Sequence, residues 1–217
     1  MEKTILIAGI SGELQTELVQ EALSQRYRTA VALDPGTERP PIGEDWENLL
    51  KYFEWNKRSS LSARNLILEV QSFAEILDEA FFIFEPPPDG RPLHEVPIIE
   101  IESTVDEWTK GFLFLTKELL TLFQKKKRGL LTLVLHEHSL SVSPLSTGVV
   151  SCFRAMGSAL FAQYQNESFT LRGFQSATRD VKDFVHFLVT TWEKPEKTFG
   201  KWTKYSSKGS LWSFGRS

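Results

Sequence analysis

The sequence predicts an α/β fold, a doubly wound parallel sheet of six or seven strands with helices on both faces. Short apolar runs alternate with helical patterns along the chain, which is the element order of parallel strands joined by right-handed crossovers. The first run, TILIAG at residues 4–9, is apolar throughout, as expected of a strand buried on both faces. A length of 217 residues with 41% hydrophobic residues suits a single domain, residues 1–217, that has its own core.

The amino-terminal half is predicted to hold four strands and three helices. Apolar residues recur at helical spacing in 13–25 and again in 44–55. The segment PGTERPPIGE, which has three prolines and two glycines, is a loop that separates the second strand from the second helix. The predicted strands are 4–9, 28–34, 65–70 and 80–84, and the predicted helices are 13–25, 44–55 and 72–79.

The carboxyl-terminal half begins with a break in regular structure at 85–92, EPPPDGRP. The segment that follows, 95–102, is predicted to be extended. The polar and aromatic tail, 199–217, holds either a last strand near LWSF or a dimer contact. The remaining strands are predicted at 129–137 and 168–175, and the remaining helices at 104–124, 146–164 and 180–194.

The order and spacing of these elements resemble the short-chain dehydrogenase/reductase (SDR) family of Rossmann-like, NAD(P)-binding proteins, from Thr4 to about Leu188. Gly9 matches the family's glycine-rich turn after the first strand, and Gly12 continues that turn in a shifted register. Asp34, at the end of the second strand, falls where such proteins hold the adenosine ribose, and it equally caps the loop that follows. Glu69 stands in the family's acidic place after strand three. The resemblance implies these four residues as a vestigial site, for NAD(P) if for any cofactor.

Two of the three glycines of the family's turn are replaced. In the pattern Gly-x-x-x-Gly-x-Gly, Gly9 is followed by Glu13 and Gln15 where the other two glycines belong. Those glycines let the backbone approach a pyrophosphate and let the helix pack close to the strand. A carboxylate at Glu13 also places negative charge where the helix dipole would otherwise attract an anion. We therefore expect no cofactor to bind here.

The catalytic residues of the family are also missing from their places. The resemblance implies a Tyr that acts as general acid and, four positions later, a Lys that lowers its pKa, but Ser146 and Val150 stand there. The family's catalytic Ser follows strand five, where the segment HEHS leaves His138 and Ser139 as candidates beside Ser146. The long segment that closes over the substrate after strand six is nearly absent, so little chain remains to exclude water.

These observations leave three functions open. The first is a catalytically degenerate SDR-like protein that acts without enzymatic activity, as a dimeric interaction, regulatory or ligand-binding protein. The second is a divergent NAD(P)-dependent oxidoreductase that uses Ser139 or His138 as proton donor, in which Asp34 would favour NAD. The third is a small hydrolase that pairs Ser139 or Ser141 with His136 or His138.

Composition limits the partners. The formal charge of −3 gives no general attraction to nucleic acid or anionic lipid, and no stretch approaches the roughly 20 apolar residues that span a bilayer. The lone Cys152 fits a reducing, cytoplasmic setting. His136 and His138 are too few for a metal site.

The helices at 104–124 and 146–164 present more apolar surface than one sheet face needs, which predicts a homo-oligomer formed through them.

Overall fold

The computed structural model describes residues 3–9, 12–39, 44–86, 90–137, 143–191 and 198–206. Within these ranges, seven strands alternate with six α-helices. The strands are β1 (Thr4–Gly9), β2 (Arg28–Leu33), β3 (Leu50–Glu54), β4 (Glu79–Phe84), β5 (Leu130–His136), β6 (Thr170–Ser176) and β7 (Trp202–Lys204). The helices are α1 (Glu13–Ser24), α2 (Ser60–Phe73), α3 (Ile98–Val105), α4 (Gly111–Lys126), α5 (Pro144–Gln163) and α6 (Val181–Thr190).

The strands form one sheet in the order β3-β2-β1-β4-β5-β6-β7, in which every neighbouring pair is parallel. The predicted doubly wound parallel sheet is thereby confirmed. The strand order reverses between β1 and β4, which lie side by side with Gly9 paired to Ile83. Parallel sheets of this kind bind their ligands outside the carboxyl ends of the strands, at the point of reversal. This edge of the sheet is where a functional site is expected.

Helices cover both faces of the sheet. Helices α1 and α6 pack on one face, against strand residues such as Ile7, Phe81 and Val134. Helices α2, α4 and α5 pack on the other face, against residues that alternate with the first set, such as Leu6 and Phe82. Because side chains alternate in direction along a strand, each face has its own apolar core.

Two segments of the amino-terminal half, 44–55 and 65–79, differ from their predictions. The predicted helix 44–55 is a short 3-10 turn at Glu44–Trp46 followed by strand β3, which pairs with β2 at the edge of the sheet. The predicted strand 65–70 lies inside helix α2, whose first turn is capped by the Ser59 side chain, and the predicted helix 72–79 is only the end of α2 and a loop. The apolar run at 65–70 had suggested a strand, but the helix buries only one side of it.

A third correction concerns the segment before α4. Residues 95–102, predicted to be extended, include a 3-10 turn at Leu93–Glu95 and the start of helix α3. Helix α3 continues through a π turn at Asp106–Lys110 into α4, so the helix predicted at 104–124 is part of a longer helical segment. The other predicted strands and helices are confirmed with small shifts at their ends, except that residues 192–194 of the helix predicted at 180–194 lie outside the described residues. The predicted strand near LWSF lies outside the described residues, and β7 forms before it.

Helix α5 is, among the helices that the structure describes, the one long and apolar enough to cross a membrane. A core helix of a soluble protein passes the same test of length and composition. Here α5 packs against the sheet through Val149, Phe153 and Phe161, as core helices do.

Candidate functional site

The carboxyl ends of β1, β4 and β5 meet at the amino end of helix α1. Gly9 ends β1 with a φ of 131°, and a Cβ at this position would lie 2.0 Å from the carbonyl oxygen of Ile83 on β4. Only glycine fits so close to the neighbouring backbone. Gly12 is the N-cap of α1 and provides no side-chain cap. Gly9 therefore has the role that the fold requires, and Gly12 leaves open space at the amino end of α1.

The Glu85 carboxylate occupies that space. Its Oε2 lies 2.9 Å from where a Cβ of Gly12 would stand, and its Oε1 lies 2.6 Å from Nδ1 of His136. Glu85 directly follows β4, and His136 is the last residue of β5, the neighbouring strand. The amino end of a helix attracts anions through its dipole and its unpaired N–H groups. An anionic side chain of the protein itself thus stands beside the amino end of α1.

His136 is buried and held on both sides of its ring. Its Nδ1 contacts the Glu85 carboxylate, and its Nε2 lies 2.8 Å from the carbonyl oxygen of Thr178. Burial disfavours the charged ring, but the hydrogen bonds to Glu85 and Thr178 and the negative charges of Glu85 and Glu13 outweigh it, so the pKa of His136 is raised. Because both partners are acceptors, the arrangement is satisfied when both ring nitrogens carry a proton.

Glu13 and Gln15, the replacements for the family's glycines, differ in placement. Glu13 is exposed in the first turn of α1. Gln15 is buried, and its side-chain amide donates a hydrogen bond of 3.3 Å to the Ala32 carbonyl of β2. Gln15 thus fills the space between α1 and β2 where a glycine would allow the closest approach of helix to strand.

Asp34 lies just beyond the end of β2, as the sequence predicts. Its carboxylate makes an ion pair with Lys57, and its carbonyl accepts a hydrogen bond of 3.0 Å from the Thr37 N–H, which closes the turn that follows. Lys57 is buried up to its ammonium group, which lies 5.6 Å from the centre of the Trp55 ring. The acidic group expected to meet a ribose is therefore already engaged by a lysine.

Glu69 is predicted to stand at the end of the third strand, and this placement is wrong. Glu69 is exposed in the middle of helix α2 and does not follow a strand. The residues that do follow the third strand are Trp55 and Asn56. The error comes from the assignment of 65–70 as a strand.

The positions of the family's Tyr and Lys lie on the first two turns of α5. The Ser146 N–H donates to Oγ of Ser143, the N-cap residue, and the two hydroxyls lie 3.1 Å apart. Val150 is buried against the sheet. A buried hydroxyl beside the N-cap residue and an apolar side chain thus occupy the two places. The other candidates, His138 and Ser139, and Ser141 of the hydrolase hypothesis, lie outside the described residues.

The connection between β6 and α6 is short, as predicted. It spans residues 177–180, and the Thr178 N–H is held by Oγ of Ser176 at 3.1 Å while its carbonyl meets His136. The connection covers His136 and leaves no chain to close over a substrate. In the part of the chain that the structure describes, no three His, Cys, Asp or Glu side chains are grouped to hold a metal ion.

The pairing of Glu85 with His136 is not among the sequence-based predictions, although the sequence carries a signal for it. Glu85 is the first polar residue after an apolar strand, and His136 ends the next strand of the sheet. Strands four and five are neighbours in a doubly wound sheet, so their carboxyl ends meet. The two residues are 51 positions apart, and only this topology brings them together.

Comparison with solved structures gives close matches of fold. A short-chain dehydrogenase from Leptospira borgpetersenii with bound NAD+ superposes with a TM-score of 0.79 at 15% identity, over 94% of this chain and 91% of that one. ElxO with bound NADP gives a TM-score of 0.77 at 11% identity, over 94% and 97% of the two chains. Serine dehydrogenase from Escherichia coli gives 0.77 at 10%, over 93% and 96%.

Sequence comparison adds nothing to these matches. No protein-family model matches the chain, and a search of curated proteins finds no significant relative. Identities of 10 to 15% carry information on architecture alone. The strand order, the crossover helices and the near-complete coverage agree on one conclusion: this chain has the fold of the short-chain dehydrogenases.

Proposed function

We propose that this protein is a non-enzymatic form of the SDR fold, a dimeric interaction or regulatory protein whose dinucleotide site is filled by its own side chain. The observation that carries the proposal is the Glu85 carboxylate beside Gly12 at the amino end of α1. The solved structures with NAD+ or NADP bound show what the fold accommodates in those proteins. Here an acidic group competes for the equivalent space.

Electrostatics supports this reading of the turn. A diphosphate at the amino end of α1 would meet the carboxylates of Glu85 and Glu13. Two like unit charges about 4 Å apart repel by about 4 kcal/mol at an effective dielectric constant near 20. That repulsion exceeds the roughly 0.3–1 kcal/mol that a helix dipole contributes to anion binding at an exposed terminus. Protonated His136 offsets part of the Glu85 charge, so the case against a dinucleotide rests first on the space that the Glu85 side chain fills, and the Glu13 charge adds to it.

The described side chains around the turn also lack a suitable proton donor for hydride transfer. His136 has both ring nitrogens engaged by Glu85 and Thr178. Ser146 is buried in the first turn of α5 against the capping hydroxyl of Ser143, and Val150 carries no ionisable group. A general acid must reach the substrate with a proton to give, and these residues are committed to the fold.

The proposed partner is a second copy of the chain. Ile98, Val105 and Leu113 are exposed along the segment formed by α3, the π turn and α4. Val105 follows Ile98 by seven residues, and Leu113 follows Val105 by eight. The wider π turn between Val105 and Leu113 takes up one residue more than regular α-helix would, so the three side chains lie on one side of the segment. Such an exposed apolar stripe marks an interaction surface.

Charge favours a two-fold arrangement of that segment. Three of the four acids in its first half are paired within the chain, which leaves the exposed Glu102, and its last turn is basic, so two copies in antiparallel orientation bring Glu102 toward the basic end of the other copy. The neighbouring helix α5 exposes small side chains that allow close approach. The acidic residues are Glu100, Glu102, Asp106 and Glu107, the basic ones are Lys125, Lys126 and Lys127, and the exposed small ones are Gly148, Ser151, Ala155 and Ala159.

The proposal is tested by titrating the purified protein with NADH and NADPH and following binding by calorimetry. We expect no binding below millimolar concentration, and binding at least about tenfold tighter in Glu85→Gln, because one of two opposing charges is removed. Glu47→Gln, at an exposed acid away from the turn, is the matched control and leaves the affinity unchanged. Micromolar binding of either nucleotide by the unaltered protein would contradict the proposal.

A further inference from the structure

A second cavity opens at the carboxyl edge of the sheet, away from the glycine turn. Its volume is about 380 Å³, within the range of small-molecule sites. We propose that it binds a small ligand through a carboxylate or phosphate group. The lining residues are Glu137, Arg154, Gln175, Ser176, Ala177 and Lys204.

The cavity lies on the opposite side of the sheet from Glu85 and His136. His136 points toward the α1 and α6 side, where its ring packs near Phe184. Side chains alternate along a strand, so the next residue, Glu137, points toward α5. On the same side, Gln175 of β6 is paired in register with Lys204 of β7. The cavity is thus separate from the turn that a dinucleotide would use, and the inference does not depend on the proposed function.

The charge of the lining favours an anion. Arg154 and Lys204 contribute two positive charges against one negative charge from Glu137. Arg154 forms an ion pair with Glu137, with Nη2 2.6 Å from Oε2, but its buried Nε has no hydrogen-bond partner among the described residues. Lys204 is exposed and makes no ion pair within the same set of residues. One cation and one N–H donor therefore remain for a ligand, and carboxylates and phosphates are the groups that such donors bind best.

The core fixes the backbone that carries both cations. The Trp202 ring lies in a slot between Gly157 of α5 and Gly173 of β6, where any Cβ would lie within 2.6 Å of the ring. Its indole N–H donates to the Arg154 carbonyl at 3.2 Å. Strand β7 is thereby held against α5, so that Lys204 and Arg154 face one cavity. A site whose donors are ordered before binding loses less entropy when the ligand enters.

The test is a titration of the full-length protein with inorganic phosphate and, separately, with acetate, followed by NMR chemical shifts. We expect saturable binding of at least one of the two probes, which identifies the preferred group. Lys204→Met weakens it about tenfold or more, as loss of a charge-assisted hydrogen bond does. Lys201→Met, at an exposed lysine outside the cavity lining, is the control and leaves it unchanged.

Glu137→Gln separates a ligand site from a structural ion pair. It removes the competing carboxylate and frees Arg154, so we expect phosphate or acetate to bind more tightly. If Arg154 and Glu137 form only a structural ion pair, Glu137→Gln should leave binding of phosphate or acetate unchanged or weaken it. The inference is overturned if neither probe saturates, if Lys204→Met and Lys201→Met behave alike, or if Glu137→Gln fails to tighten binding. Thermal unfolding of each variant confirms that it is folded.

Discussion

The Glu85 carboxylate lies 2.9 Å from the position that a Cβ of Gly12 would take, at the amino end of α1. This contact links the sequence of the glycine turn to its chemistry. Because Gly12 has no side chain, the acidic side chain that follows β4 has room beside it. The same carboxylate contacts His136, so the placement of Glu85 in the turn is coupled to the protonation of that buried histidine.

Gly12→Ala should destabilise the protein by about 1 kcal/mol, since the new methyl group displaces the carboxylate and weakens its bond to His136. The φ of −165° at this position suits alanine, so backbone strain does not contribute. The measurement is urea unfolding of the variant beside Gly90→Ala, where a Cβ meets nothing within 4 Å. In a Glu85→Ala background the part of the penalty that comes from the carboxylate should vanish, which leaves the preference of an N-cap position for glycine over alanine. An undiminished penalty there would mean that Glu85 is not what the methyl group meets.

Stability should fall as pH rises through the folded pKa of His136. That pKa is raised above the unfolded value of about 6.5, so the native state holds the proton more tightly. The stabilisation is therefore fully present below about pH 6.5 and is lost as pH rises through the folded pKa. Urea unfolding between pH 5.5 and 9 measures it.

His136→Gln should remove this part of the pH dependence, because glutamine does not titrate. His186→Gln, at an exposed histidine of α6, should leave the pH profile unchanged. Parallel profiles for the unaltered protein and His136→Gln would show that the pairing with Glu85 does not stabilise the native state.

Most of the fold was predictable because its signals are local. Buried parallel strands appear as continuous apolar runs, and β1, β2, β4 and β5 were found in that way. The wrong predictions occurred where the spacing of apolar residues fits both a helix and a strand. Leu50 and Phe53 are three residues apart, which suits a helix face, yet pairing with β2 at the sheet edge makes this segment a strand. The decisive contact is tertiary, so the local pattern could not show it.

The sequence shows which residues of the family are missing from the site, but it does not show which contacts form in their place. The missing glycines and the absent Tyr and Lys are visible in the sequence, and so is the short connection before α6. That Gln15 would bond Ala32, or that Lys57 would engage Asp34, depends on distances between separate elements. Such side-chain pairings follow from packing, which a single sequence does not specify.

Arg172→Met should destabilise the protein by about 3–5 kcal/mol, because the buried Glu79 carboxylate loses the buried one of its two cationic partners and keeps only the partly exposed Lys3. Arg172 and Glu79 are fully buried and lie 2.7 Å apart at the other edge of the sheet, with Thr132 bonded to both. Arg128→Met, which removes an exposed pair with Asp78, should cost at most about 1 kcal/mol. Denaturant unfolding of the two variants measures the contrast. Equal losses would mean that burial of the Arg172 pair adds nothing.

Leu113→Arg should convert the proposed dimer to a monomer. Leu113 is 45% exposed on α4, within the apolar stripe, and a charge there would be buried without a partner at a two-fold interface. Leu68→Arg is the matched control, since Leu68 is 52% exposed on α2, outside the stripe. Sedimentation velocity at micromolar concentration should show the unaltered protein and Leu68→Arg as dimers and Leu113→Arg as a monomer. If the unaltered protein sediments only as a monomer, the stripe does not serve self-association and the dimeric part of the proposed function fails.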